Sequence, residues 1–247
     1  MDEAWDFYFC TVDDRPASVA LDLAWLDVAP PSERSTLLAV RVSLRVPRVD
    51  GLSDGGESDT LGRFEEALIA ALAEVCGAAP VGRLTTQGYR EFFLYGGTDV
   101  GLAGAVSRAE ADGPYRARFR SEHDPEWCLY FDFLAPERRE RQWMGDRRVV
   151  DQLRAHGDEA DEPRAVDHFV ELPDASAREA FRAAAAEDGF DISDQGDAFG
   201  LHLRRHDPVS VEHIHQVAWD LLELAERLGG SYDGWGAPLA ARLHDLS

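Results

Sequence analysis

The sequence predicts an α+β fold made of two tandem sandwiches with antiparallel sheets, and three observations predict it. From Arg164 onward the pattern runs strand, helix, two strands, helix, then a short terminal strand or turn. Leu38–Leu134 can be read in the same order, and the acidic run Gly157-Asp158-Glu159-Ala160-Asp161-Glu162-Pro163 separates the two stretches. That order is the split strand-helix-strand arrangement of a ferredoxin-like α/β sandwich, in which two helices cover one face of a sheet. At 247 residues the chain can bury two cores. The expected division is an α+β domain over 1–135, a connecting helix and acidic linker over 136–163, and a second domain over 164–247.

In the first half, Trp5–Thr11 and Ser18–Leu23 read as a hairpin around Asp13-Asp14-Arg15-Pro16. Leu38–Val46 alternates Val40, Val42, Leu44 and Val46 with Arg41, Ser43 and Arg45, the period-2 signature of a strand buried on one face. After a loop rich in glycine and acid, Leu61, Phe64, Leu68, Leu72 and Val75 recur at helical spacing until Cys76-Gly77. Val81–Thr86 and Tyr89–Tyr95 form strands about Gln87-Gly88 and a helix follows over Thr98–Ala109. Tyr115–Arg120 and Trp127–Leu134 supply the last strands.

Pro136 opens an arginine-rich helix to about His156, which could belong to either side of the linker. Beyond it come a strand from Arg164 to Leu172 and a helix over Ser176–Asp188, with Ser176-x-x-Glu179 as its capping box and Gly189 as its stop. Phe190–Asp194 and Phe199–Arg205 follow as strands. The last helix starts near Pro208 or Ser210 and puts Val211, Ile214, Ala218, Leu221, Ala225 and Leu228 on one stripe. Gly229-Gly230 ends it, because glycine enters the left-handed conformation at little steric cost, and Tyr232 and Trp235 then sit on a constrained turn. Trp235 reads either as a buried anchor of that turn or as a presented contact residue.

Charge narrows the function classes. The chain has 47 acids against 25 bases, a net charge of −22, and every base is arginine. Up to Ala135 there are 12 arginines against 23 acids and beyond it 13 against 24, so the acidity belongs to the whole surface. Such a field disfavours direct binding to nucleic acid or to anionic lipid, and fits a basic protein partner or simple solubility. No apolar run is long enough for a signal core or a membrane span, so the expected location is the cytoplasm, without membrane association. Cys10, Cys76 and Cys128 have neither metal-type nor redox spacing and are expected as reduced thiols.

Candidate chemistry is sparse. His202, His206, His213 and His215 fall close together, yet His202 and His206 would lie about 13 Å apart on a strand. His213 and His215 would point roughly 200° apart around a helix. His168 shares a face with Val166 and Val170, which suits a hydrogen-bonded core histidine. Asp50, Asp54, Glu57 and Asp59 crowd a glycine-rich loop whose spacing differs from a calcium loop, so an acidic turn is favoured. The basic cluster Arg138, Arg139, Arg141, Arg147 and Arg148 is interrupted by Glu137, Glu140 and Asp146, and reads as a solvated helix surface in preference to an RNA site. Hence no catalytic residue, metal or cofactor is expected. The more useful constellation is the sheet face that the helices of the second domain leave bare, predicted to hold Asp167, Phe169 and Glu171 beside His202, Arg204 and His206. An outward Phe169 calls for a cover, from the first domain or from a partner.

The residues Arg164-Ala165-Val166-Asp167-His168-Phe169-Val170, Gly189-Phe190 and Gly229-Gly230-Ser231-Tyr232-Asp233-Gly234-Trp235-Gly236 resemble the regulator of ribonuclease activity B family, the protein inhibitors of ribonuclease E. The similarity spans roughly Val149 to Pro238, and the terminal Tyr-Asp-Gly-Trp-Gly block is its most specific element. The first 135 residues resemble a bacterial domain family of unknown function through Trp5-x-Phe7-Tyr8, Asp50-Gly51-Leu52 and Arg90-Glu91-Phe92-Phe93-Leu94-Tyr95. The resemblance implies a ferredoxin-like protein that binds the endonuclease and modulates which transcripts it processes, without chemistry of its own. The acidity agrees with docking on a basic, RNA-handling enzyme. Asp167, Phe169, Glu171, Asp233 and Trp235 are the expected protein contacts. Two other readings are an acidic antagonist or scaffold for another basic protein, such as a toxin, and an enzyme of unrecognised type.

Overall fold

The structure is a computed structural model that describes residues 4–111, 113–158, 161–195 and 199–239. It divides into two compact units, Met1–Glu140 and Arg141–Ser247. The division falls inside a helix, α3 below, so most of that helix belongs to the second unit.

The first unit contains β1 (Trp5–Val12), β2 (Arg15–Asp22), β3 (Thr36–Ser43), α1 (Ser58–Cys76), β4 (Ala79–Thr86), β5 (Tyr89–Gly96), α2 (Leu102–Glu110) and β6 (Ala117–His123). Its sheet is antiparallel in the order β1-β2-β4-β5-β3-β6. Without the first two strands this is the ferredoxin-like order; the hairpin β1–β2 adds to the free edge of β4. Two-residue turns fix both tight hairpins, with positive φ at Asp13 and Asp14 (50° and 59°) and at Gln87 and Gly88 (49° and 79°), as the twist of paired strands requires. The alternation in β3 sends Leu38, Val40 and Val42 onto Leu61, Phe64, Leu68 and Leu72 of α1, with Leu102 and Val106 of α2 closing the core.

The other face of this sheet is covered too, which corrects one expectation. Trp127–Leu134 is not a strand: Leu129–Leu134 forms a π-helical turn. The Asp124 carboxylate accepts the N–H groups of Cys128 and Leu129, at 2.9 and 3.2 Å, which starts the turn. Long-range hydrogen bonds then hold its aromatics, Trp127 Nε1 donating to the Arg34 carbonyl and the Tyr130 hydroxyl to the Asp22 carbonyl. Trp127 stacks on Tyr95 at 4.2 Å, and a side chain at Gly82 would come within 2.9 Å of Leu134 Cδ1. Glycine on β4 is what lets Leu134 settle on the strand.

The acidic loop before α1 is structural. Glu57 is buried and accepts the N–H groups of Arg45 and Val46 and the Tyr115 hydroxyl. Burial opposes its charge, but those hydrogen bonds win and hold its pKa below the ordinary range.

The second unit contains most of α3 (Arg138–Ala155), then β7 (Arg164–Glu171), α4 (Ala175–Glu187), β8 (Asp191–Gln195), β9 (Gly200–Asp207), α5 (Val211–Arg227) and β10 (Ser231–Gly236). The antiparallel order β10-β7-β9-β8 is that of a ferredoxin-like sheet. Phe181 and Ala185 of α4 and Val217, Leu221 and Ala225 of α5 pack on Val170, Leu201 and Leu203. Val150 of α3 joins Val166, Val209, Val211 and Ile214 in a second cluster.

The start of α4 also differs from expectation. Asp174, not Ser176, is the N-cap: its backbone is extended and its carboxylate accepts the Ala177 N–H at 2.8 Å. At the end of α5, the adjacent glycines serve different needs. Gly229 takes a φ of 76°, whereas a Cβ on Gly230 would lie 2.3 Å from the Glu171 carbonyl oxygen.

Candidate functional site

The face of the second sheet opposite α4 and α5 brings together most of the residues singled out in the sequence. Along β7 the side chains alternate, with Val166, His168 and Val170 buried and Asp167, Phe169 and Glu171 on the other side. Asp167 pairs with Arg204 and Phe169 with His202 across β9, and Ser193 of β8 lies opposite His202. Asp167 Oδ1 accepts from His202 Nε2 and from Arg204 Nε, both at 2.6 Å, and Oδ2 accepts from Arg204 Nη2 at 3.2 Å. The hydrogen bonds from Arg204, ahead of those from His202, hold the Asp167 carboxyl below its ordinary range against a burial cost. The rings of Phe169 and His202 stack at 5.3 Å and 13°. On the other flank Phe169 faces Gly234 and Asp167 faces Gly236, so β10 raises no side chain beside them. Glu171 and Asp233 are exposed, Asp233 at a register shift in β10, and His206 is exposed on β9.

Trp235 goes elsewhere. It pairs with His168, packs on the cluster around Val150 and Val166, and donates from Nε1 to Asp146 Oδ1 at 2.8 Å. Asp146 is the residue that the sequence reading missed. Read there as an interruption in a solvated helix surface, it is only 1 % exposed, because α3 turns Met144, Asp146 and Val150 inward. Besides Trp235 it accepts Gln142 Nε2 at 2.8 Å and, through Oδ2, pairs with His215 Nδ1 at 2.9 Å. One carboxylate thus ties α3 to α5 and β10. One acid among three in an arginine-rich helix gives no periodic signal, and its distant partners lie 69 and 89 residues away.

His213 and His168 are similarly occupied. His213 Nε2 meets Asp207, a buried acid that also accepts from Arg205. Burial opposes the Asp207 charge, but Arg205 and His213 outweigh it and lower its pKa. His168 is fully buried, with Nδ1 on the Tyr232 hydroxyl at 2.8 Å and its ring edge-on to Phe190. Burial pushes its pKa down to about 4, so it is neutral at pH 7. Among the described residues no group of three or more His, Cys, Asp or Glu side chains is placed to hold a metal ion. No helix among them is long and apolar enough to cross a membrane.

The order Ser193–His202–Asp167, with Ser193 Oγ 3.3 Å from His202 Nδ1, is that of a nucleophile, base and orienting acid. Arg204 already neutralises the acid, and Ser193 is exposed on an edge strand of an open sheet face. The arrangement is better suited to displaying a polar ladder around Phe169 than to activating a hydroxyl.

Comparison with known families agrees with this anatomy. A family of unknown function, DUF695, matches residues 3–135, more than half of the chain. The chain belongs to the DUF695 family. The regulator of ribonuclease activity B family matches residues 143–237 of this DUF695 protein, a stretch that takes in Asp146, the bare sheet face, His215 and Trp235. No curated protein matches it significantly. Among solved structures, a candidate glycine cleavage system transcriptional repressor is 10% identical, with 82% of this chain and 98% of that one covered and a TM-score of 0.22. An unknown protein from Galdieria sulphuraria is 15% identical, with 81% and 96% covered and the same TM-score of 0.22.

Proposed function

We propose that this chain is a non-catalytic regulator that binds an endonuclease of the ribonuclease E type through its second unit and changes which RNAs that enzyme processes. The observation that carries the reading is the match to the regulator of ribonuclease activity B family over 143–237, against a unit that folds from Arg141. The net charge of −22 supports a protein partner with a basic surface, since it repels RNA while speeding encounter with a cationic face. Phe169, flanked by glycine and by a hydrogen-bonded His202, is the apolar centre of the contact, with Asp167, Glu171 and Asp233 around it. Trp235 contributes by anchoring β10. Such a protein acts in the cytoplasm, where that enzyme works on RNA.

The test is capture of purified ribonuclease E by the immobilised full chain across a salt series. Binding that weakens with salt, and about tenfold again in Phe169→Ala with its melting curve unchanged, is the expected result. Absence of capture at low ionic strength overturns the reading. Capture of a different basic protein from a lysate, without the nuclease, would favour an acidic antagonist or scaffold instead. The Ser193–His202–Asp167 order motivates a hydrolytic reading. It requires turnover of p-nitrophenyl acetate that disappears in Ser193→Ala.

A further inference from the structure

The first unit has a groove that the second-unit reading does not use. Because the hairpin β1–β2 adds to the far edge of β4, its helix-side face extends past α1 and leaves a groove of about 1100 Å³ along that helix. Trp5 and Phe7 of β1 form one wall, and Gly62 and Ile69 of α1 lie in the other. Ser18 and Ala20 keep the floor low, as small residues do.

Two arginines lie in this floor and differ in their partners. Arg83 Nη1 is paired with Glu65 at 2.5 Å. Arg90 donates from Nε to the Thr85 hydroxyl at 2.8 Å and from Nη2 to the Ser53 hydroxyl at 3.2 Å; no carboxylate among the described residues lies within 4 Å of it. Burial first, and then the neighbouring Arg83, lower its pKa to about 10. Glu65, already paired with Arg83, and Glu57 act on it only from a distance, so a largely desolvated guanidinium held directly by two neutral hydroxyls keeps the capacity to pair with a carboxylate. Glu65 and Glu66 of α1 also line the groove, and their charge selects against polyanions and favours a ligand of single charge.

We propose that the first unit binds a small organic carboxylate, an apolar and flat body bearing one carboxylate, with the acid on Arg90 and the body along Trp5 and Phe7. Convergent polar groups at one end of an aromatic-walled groove are the usual form of such a site. This assignment is independent of any partner of the second unit.

Calorimetric titration of the full chain with benzoate, phenyl phosphate and benzyl alcohol tests it. Saturable benzoate binding, stronger than that of either comparison compound, is expected below about 10 mM, by which a millimolar site is filled. Arg90→Gln should bind benzoate at least tenfold more weakly. Gly62→Leu leaves Arg90 in place and fills the groove from α1, where an added Cβ meets nothing within 4 Å. It should abolish binding without lowering the melting temperature, and it carries the test if Arg90→Gln does not fold. Equal binding of benzyl alcohol, preference for phenyl phosphate, no saturable benzoate binding, or unchanged benzoate binding in Gly62→Leu would each overturn the proposal.

Discussion

Acid should destabilise the second unit through His168, at a pH where its carboxylates are still charged. His168 is 0 % exposed, and burial holds its folded pKa at about 4, against an ordinary value of 6.5. Unfolding returns the ring to water, so the unfolded chain takes up the proton first and stability rises with pH across that window. The contribution is fully present above about pH 6.5, is lost as the pH falls, and levels off below about 4, where both states are protonated. At about 1.4 kcal/mol per pH unit the gap amounts to about 3 kcal/mol, a large share of the ~5–15 kcal/mol that holds a domain together. Asp167 and Asp207 have depressed pKa values, so their stabilisation is lost only below the ordinary carboxylate range, which separates the two effects. Urea titrations at pH 7 and pH 4.5, followed by tryptophan fluorescence, measure the loss. His168→Gln keeps a hydrogen-bonding partner for Tyr232 but cannot titrate, and in it most of that ~3 kcal/mol dependence should vanish. Equal losses in wild type and His168→Gln between those two pH values would refute the reasoning.

Three further outcomes follow from the packing of the same unit. Asp146→Ala strands the Trp235 and His215 donors in a buried site, and should cost about 2–4 kcal/mol in urea unfolding, while Trp235→Phe, which removes one donor, costs less. Gly230→Ala drives a Cβ to 2.3 Å from the Glu171 carbonyl and should cost at least ~1–3 kcal/mol by thermal melting, whereas an alanine at Gly236, where nothing lies within 4 Å, should be near neutral. Asp174→Ala removes the cap of α4 and should cost about 1 kcal/mol, with Asp174→Asn recovering most of it; an equal loss in Ser176→Ala would return the cap to Ser176.

The features legible in the sequence were those whose signal is local. Alternation along Leu38–Val42 and Val166–Val170, the stripe of α5 and the turns Asp13-Asp14 and Gln87-Gly88 all report on residues a few positions apart, and they suffice for the α+β class of both units but not for where the hairpin β1–β2 joins the first sheet. Alternation on β7 likewise put Asp167 and Phe169 on one face. What failed to show was decided by distant partners. Trp127–Leu134 has a strand's composition, yet carbonyls 93 and 108 residues away hold two of its aromatics in place. Arg90 carries no mark of its own; the groove beside it depends on where the hairpin β1–β2 adds to the sheet. Asp146 is hidden for the same reason, since burial of an acid is visible only once the groups that satisfy it are in place.

The position of Asp146 bears on how the protein can be dissected. The acidic stretch ending at Pro163 invites a cut that would begin a fragment at Arg164 and keep every strand of the second sheet. That fragment would shed α3, exposing Val166 and Ile214 to water and leaving the His215 ring and the Trp235 indole without their shared acceptor. A weak or aggregating product would then report the excision and not the domain, and a binding assay on it would mislead. An expression boundary placed upstream of Gln142 retains the helix that completes the unit.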